Sequence, residues 1–363
     1  MRILVLNTFP TLGGDEKWTI NVGKGLSERG HHVVISSRPG SETGKRAQEK
    51  GLTIFPFHIG PDIAFWKIRP FQKYLKDNNI EAVLCVQNRD VKVGGLAARL
   101  AGIKAIFGRQ GLNTINKKKL FHKIAWTRFV DGIITNTKSI KELYHNYHWF
   151  KNDFIHVVYD GLKLPDNLLK INLHKEFDLK PDSKVIIGTG RLEGRKRFDL
   201  LIEVAVMAKN KKSNWSILVA GTGKLEMKLK KMATDFGVDH IIKFVGFRND
   251  VLTLMNSADL FVLSSDYEGM SNALREAMAV GKACVATNVF GVDELFQNGK
   301  SGLTVNKGDS AAIYNAIENI FSSPNMKSNM EKNAADLIKS DFTMEKMIDN
   351  IEQLFIQQLE KNR

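Results

Sequence analysis

The chain has 363 residues, 43% hydrophobic and 25% charged, which excludes a disordered or fibrous protein and leaves length for two domains with their own cores. Its net charge of +14 is uneven: residues 1–165 hold 26 Lys+Arg and 13 Asp+Glu, a net of +13, whereas residues 166–363 hold 27 and 26, a net of +1. Charge on one half points to an anionic partner there.

Strand-like apolar runs alternate with helical patterns throughout, the mark of a doubly wound α/β protein. In the first half they are RILVLNT (2–8), HHVVISS (31–37), TIFPFHI (53–59), EAVLCVQ (81–87), KAIFGR (104–109), GIITN (132–136) and IHVVY (155–159). Helical periodicity separates them, as in 16–30 and 91–102. The stretch 160–183 holds two prolines and little periodicity, so it reads as a linker. The pattern then restarts with KVIIGTGRL (184–192), SILVAGTG (216–223), IIKFVGF (241–247), LFVLSSD (260–266) and ACVATN (283–288). Two such halves are expected to bind ligand in a cleft at the carboxyl ends of their strands. MRILVLNT reads as a buried first strand and not a signal peptide, and no apolar run approaches the roughly 20 residues that span a bilayer. Cys85 and Cys284, in apolar runs, read as buried thiols in a reducing compartment, with no metal spacing and no disulfide framework.

The most informative stretch is 264–287, SSDYEGMSNALREAMAVGKACVAT. Glu268 follows a strand where it gives way to a turn, and Glu276 lies eight residues on, in a helix expected to begin near Met270. That spacing is close to two helical turns, so both carboxylates can face one site. Free amides at Gly269, Met270 and Ser271 can hold an oxygen-rich ligand. Residue types alone equally allow two solvated helix-end charges.

The run Glu268-Gly269-Met270-Ser271-Asn272-Ala273-Leu274-Arg275-Glu276 resembles the Glu-x7-Glu signature of retaining, nucleotide-sugar-dependent glycosyltransferases of group 1 or family 4. The resemblance extends over essentially the whole chain. It implies the GT-B fold, with two doubly wound Rossmann-like domains facing across a cleft. The acceptor domain would be 1–165, joined by a C-terminal helix within 343–363, and the donor domain 166–342. In the family, the second glutamate binds ribose hydroxyls and the first lies beside the transferred sugar, roles that pass to Glu276 and Glu268. Arg275 departs from the family's usual apolar residue.

Three further matches follow from the resemblance. Gly13, Gly14 and Glu16 match a Gly-Gly-x-Glu loop under the donor diphosphate and sugar, although a Gly-Gly pair can equally be a plain turn. Gly190 and Arg191 open a loop in which Arg191 and Lys196 match the cations that hold the diphosphate. An Arg fork and a Lys point charge suit the negative charge growing on a leaving nucleoside diphosphate. No Asp-x-Asp metal motif is present, so metal-free leaving-group stabilisation is expected, with no cofactor. Arg195 and Arg197 read as solvated. Gly221, Gly223 and the backbone near Phe247 match the nucleotide wall, with C-terminal turn glycines as the alternative. Phe290 interrupts a glycine pair usual in the family and leaves Gly291 alone.

Arg109 stands near a family histidine that faces the acceptor. A fixed cation there suits an anionic acceptor; a salt-bridged arginine is the alternative. Lys117, Lys118 and Lys119 head the basic–aromatic stretch 115–130, and 63–76 has the same character. Each reads either as a membrane-surface element or as a sheet-covering helix with a basic face. The expected protein is a cytoplasmic enzyme at the inner membrane face, moving a hexose-type sugar from a UDP- or GDP-linked donor to an anionic or lipid-linked glycan. A sugar-nucleotide epimerase on the same fold would need its own acid and base carboxylates. A nucleic-acid-binding protein is suggested only by the basic pI, with no motif to support it.

Overall fold

The computed structural model describes residues 1–9, 14–60, 64–112, 115, 120–165 and 167–362. They form two compact units, Met1–Gly161 with Met344–Arg363, and Leu162–Thr343.

The first unit is built on a parallel sheet of β1 (Arg2–Asn7), β2 (His32–Ser37), β3 (Thr53–Pro56), β4 (Ala82–Cys85), β5 (Ala105–Arg109), β6 (Gly132–Thr135) and β7 (Ile155–Val157), in the order β3-β2-β1-β4-β5-β6-β7. Helices cover both faces, so the central strands are apolar throughout. The pleat sorts them: Leu4, Leu6, Val83 and Cys85 enter one core layer with Phe71 and Trp126, whereas Ile3, Val5 and Leu84 enter the other with Phe107 and Phe355. Each such side chain contributes about 1.5–3 kcal/mol by leaving water.

The C-terminal helix Met344–Lys361 belongs to this unit and buries Met347, Ile348, Ile351 and Phe355. It lies close against the helix Gly14–Glu28, because a Cβ on Gly25 would stand 2.6 Å from Ile348 Cγ1. Glu352 fixes its register by accepting from Arg29 Nη1 at 2.6 Å and pairing with His31 Nε2 at 2.6 Å. Any larger residue at Gly25 would force the Ile348 side chain to shift.

The second unit holds β8 (Lys184–Thr189), β9 (Trp215–Ala220), β10 (Ile242–Gly246), β11 (Leu260–Leu263), β12 (Ala283–Thr287) and β13 (Leu303–Val305), in the order β10-β9-β8-β11-β12-β13. β13 was not expected from the sequence. It is three half-buried residues long and gains its pairing only from β12, with Val285 opposite Leu303. The stretch read as a linker is partly ordered into this unit: Asn172 caps a short helix, Leu173–Phe177, and Leu173 and Leu179 are buried.

In each sheet the strand order reverses once, between β1 and β4 and between β8 and β11. Loops leaving those strands diverge at their carboxyl ends, which opens a crevice for ligands within each unit.

Candidate functional site

The loops after β8, β9 and β10 form one backbone scaffold. Gly190 N donates to Ala220 O at 3.0 Å, Leu192 N to Thr222 O at 2.9 Å, and Gly221 N to Gly246 O at 2.7 Å. This lacing leaves no room for side chains. A Cβ on Gly221 would sit 1.9 Å from Gly190 O, and one on Gly223 would sit 2.4 Å from Leu192 O. The φ angles of Gly190 (150°) and Gly221 (146°) are ones that L side chains rarely adopt. A Cβ on Gly190 would also approach the Lys196 stem at 3.3 Å, so this glycine leaves the lysine its channel.

Lys196 ends a 3₁₀ turn, Gly194–Lys196, at the crevice between β8 and β11. Its ammonium donates to Glu268 Oε1 at 2.5 Å, and Ser265 Oγ donates to the same oxygen at 2.7 Å. Arg195 Nη1 lies 3.8 Å from the other carboxylate oxygen. The lysine and glutamate side chains are only 12% and 7% exposed, so water screens this pair weakly. Ser264 Oγ donates to Lys196 O at 2.8 Å and ties the loop to the end of β11. Arg191 is exposed, and its side chain makes no hydrogen bond or ion pair among the described residues.

Of two neighbouring arginines, Arg197 departs from the solvated state expected of it, whereas Arg195 is exposed. Arg197 holds Asp199 at 3.0 Å and Asp266 at 3.1 Å, and Arg195 pairs with Glu193 at 2.5 Å. They brace the loop that carries Lys196.

The helix carrying Glu276 runs Asn272–Ala279, two residues later than the sequence suggested, because Ser271 takes the N-cap and accepts from Leu274 N at 3.3 Å. Glu268, Gly269 and Met270 therefore belong to the turn before it. Glu276 is half-buried on the second turn. Arg275 is 3% exposed and bonds Asn272. Phe247 is 71% exposed just beyond β10. Gly291 caps a short helix, Val292–Leu295, with φ 76°, and Phe290 is exposed beside it.

In the first unit, Gly14 begins the helix Gly14–Glu28, and buried Glu16 accepts from Asn7 at 3.5 Å. Gly13, Lys117, Lys118 and Lys119 lie outside the described residues. Arg109 is held at the end of β5 between two carboxylates. Nη1 bonds Asp15, and Nη2 donates to Asp160 Oδ1 at 3.1 Å. Its guanidinium stacks 4.4 Å from the Trp18 ring centroid. Asn136 donates to Asp160 at 2.8 Å, and Gln87 to Asp15 at 3.3 Å. Burial opposes the charge, but Asp160 and Asp15 outweigh it and raise the arginine's pKa. Its charge is therefore already balanced, and it meets an anion only if one of those pairs opens. Asp15, Asn136 and Asp160 were not singled out in the sequence; the one signal was Asp15's place after the Gly-Gly pair.

Asp90 is another perturbed group of this unit. Complete burial raises its pKa to about 7, against hydrogen bonds from Thr8 Oγ1 at 2.6 Å and Gln87 N at 2.9 Å.

Two laced glycine loops, a buried lysine–carboxylate pair and an exposed arginine stand together at one strand-order reversal, an arrangement with the chemistry to hold a large anion with hydroxyl groups beside it. Residues 170–337 match the model of glycosyl transferases group 1, and residues 12–164 match that of glycosyltransferase family 4. The chain belongs to this glycosyltransferase family. An uncharacterized glycosyltransferase of Haemophilus influenzae is 25% identical over 346 residues, 93% of this chain and 94% of that protein. The UDP-Gal:alpha-D-GlcNAc-diphosphoundecaprenol alpha-1,3-galactosyltransferase of Escherichia coli is 27% identical over 299 residues, 78% and 77% of the two chains. The crystal structure of Anabaena Alr3699/HepE in complex with UDP matches with a TM-score of 0.86 at 18% identity, covering 98% of this chain and 100% of that one. The fold of this glycosyltransferase is thus GT-B.

Proposed function

We propose that this glycosyltransferase moves a hexose-type sugar, with retention of anomeric configuration, from a UDP- or GDP-linked donor to an anionic or lipid-linked glycan. The acceptor would be a lipopolysaccharide core or a lipid-carried oligosaccharide at the inner face of the cell membrane. The observation that carries this reading is the buried Lys196–Glu268 pair beside exposed Arg191 at the β8/β11 crevice.

In this reading the second unit binds the donor. Arg191 and Lys196 receive the diphosphate, as a fork and a point charge aimed where charge develops when the sugar–phosphate bond breaks. Those fixed cations serve where other enzymes use a metal. Glu276 accepts from the ribose hydroxyls, Glu268 accepts from a hydroxyl of the transferred sugar, and the backbone near Phe247 meets the base. Lys196 leaves Glu268 for the phosphate as the donor enters, and the freed carboxylate turns to the sugar. The acceptor hydroxyl attacks the face from which the diphosphate departs, and the diphosphate takes its proton. Orientation and charge stabilisation supply the rate.

Support for the acceptor class comes from the net +13 of residues 1–165 and from the E. coli relative, whose acceptor is a diphosphoundecaprenol-linked sugar. The test is proton NMR of the product formed from α-linked UDP- and GDP-hexoses with an undecaprenyl-diphosphate-linked sugar. An α-anomeric product is expected. A β product would remove the retaining assignment, and no transfer from either donor would remove the donor class.

A further inference from the structure

We propose that an exposed patch on the first unit, centred on Phe65, Trp66, Leu120 and Ile124, inserts into an anionic lipid surface. The proposal rests on the membrane reading above and assigns it to particular side chains.

The patch joins two segments distant in sequence. The rings of Phe65 and Phe121 meet edge to face at 6.5 Å, which sets the turn Phe65–Lys67 beside the helix Leu120–Arg128. That helix has a committed inner face. His122, Ala125 and Trp126 are buried, and Trp126 Nε1 donates to Asn88 at 2.9 Å. A Cβ on Gly108 would lie 2.4 Å from the Trp126 ring, so the helix seats directly on β5. Its outer face then carries Leu120 and Ile124 one turn apart, 72% and 40% exposed. Across the ring contact stand Phe65 and Trp66, 56% and 66% exposed. Four of the eleven large exposed apolar side chains among the described residues thus gather at one place, where scattered singles would need no explanation.

The surrounding charge selects the occupant. Residues 64–76 and 120–130 contain Lys67, Arg69, Lys73, Lys76, Lys123 and Arg128 and no acidic residue. Lys73 is paired with Asp77 at 2.6 Å, whereas Arg69, Lys123 and Arg128 are exposed around the apolar centre. Aromatic and aliphatic side chains ringed by cations fit the boundary between acyl chains and anionic headgroups. Tryptophan suits that boundary, with one polar edge and an apolar body.

Trp66 supplies its own probe. Trp18, Trp126 and Trp215 are buried and Trp149 is partly buried, so Trp66 is the tryptophan placed to meet a lipid. The intact protein is mixed with phosphatidylglycerol vesicles whose acyl chains carry bromine, and with phosphatidylcholine vesicles as the neutral arm. Bromine should quench the fluorescence in the anionic vesicles alone, and Trp66→Phe should abolish the quenching while keeping most sedimentation. The pair Phe65→Ser/Trp66→Ser should sediment about tenfold or more weakly. Thermal stabilisation by UDP or GDP, measured on the same preparations, should be unchanged, which separates failure of this surface from failure of the sugar-transfer reading. Binding without quenching would show adsorption by charge alone and overturn the proposal, as would binding indifferent to the serine pair. Self-association lost in that pair, with no vesicle binding, would assign the patch to a second copy and overturn it equally.

Discussion

Replacing Lys196 with methionine separates what the lysine does for stability from what it does for the reaction. Methionine keeps the stem's volume in the channel beside Gly190 and removes the ammonium that donates to Glu268 at 2.5 Å. The carboxylate, 7% exposed, then retains the Ser265 hydroxyl at 2.7 Å and Arg195 at 3.8 Å. Breaking a buried pair costs roughly 3–5 kcal/mol when the remaining charge has no partner. With one hydroxyl and one distant cation left, a loss of about 2–3 kcal/mol is expected. Glu268→Gln in the same chain removes the stranded charge, so the double variant should regain most of that stability. Catalysis should not return, because the double variant still lacks the cation and has lost the carboxylate. The assay is urea unfolding of the parent, both single variants and the double variant, alongside donor turnover. Equal stability of Lys196→Met and the parent would refute the buried pair. Near-parent turnover of the double variant would refute the clamp.

Arg191→Ala should unfold with the parent, since the side chain bonds nothing in the described protein, yet cost about 2–4 kcal/mol of transition-state stabilisation in kcat/KM. Glu276→Gln should raise the nucleotide's dissociation constant by calorimetry, whereas Glu268→Gln should lower kcat with nucleotide affinity little changed; identical behaviour of the two would contradict the division of roles. Asp90 gives a pH signature: its pKa is about 7 folded against the ordinary 3.8, so the folded state holds the extra proton between those values. The contribution to stability is complete below about pH 4 and is lost as pH rises through 7. Asp90→Asn, which cannot ionise, should therefore gain on the parent by on the order of 2–4 kcal/mol between pH 5 and pH 8 in unfolding measurements, and parallel curves would remove the shift.

Apolar runs bounded by turns located twelve of the thirteen strands among the described residues, because parallel strands covered on both faces must be apolar along their length. β13 escaped because three half-buried residues carry no period of their own. Gly190 and Gly221 were legible as loop glycines, but their reason, a backbone contact between the loops after β8 and β9, depends on packing. Ion-pair partners were hidden for the same cause. Lys196 finds Glu268 seventy-two residues away, and Arg109 finds Asp160 fifty-one residues away, distances over which side-chain type predicts no pairing. The stretch 115–130 left two readings open, and the helix Leu120–Arg128 covers β5 with its Trp126 face while exposing Leu120 and Ile124.

The central claim, that the β8/β11 crevice binds a nucleoside diphosphate through Arg191 and Lys196, is tested most directly by thermal unfolding with UDP, GDP and ADP. A ligand bound only to the folded state adds about 2.7 kcal/mol at one hundred times its dissociation constant. The parent should be stabilised by UDP or GDP, and that stabilisation should largely vanish in Arg191→Ala and Lys196→Met. If none of the three nucleotides moves the parent's transition, or if both variants respond like the parent, the crevice is not the donor site.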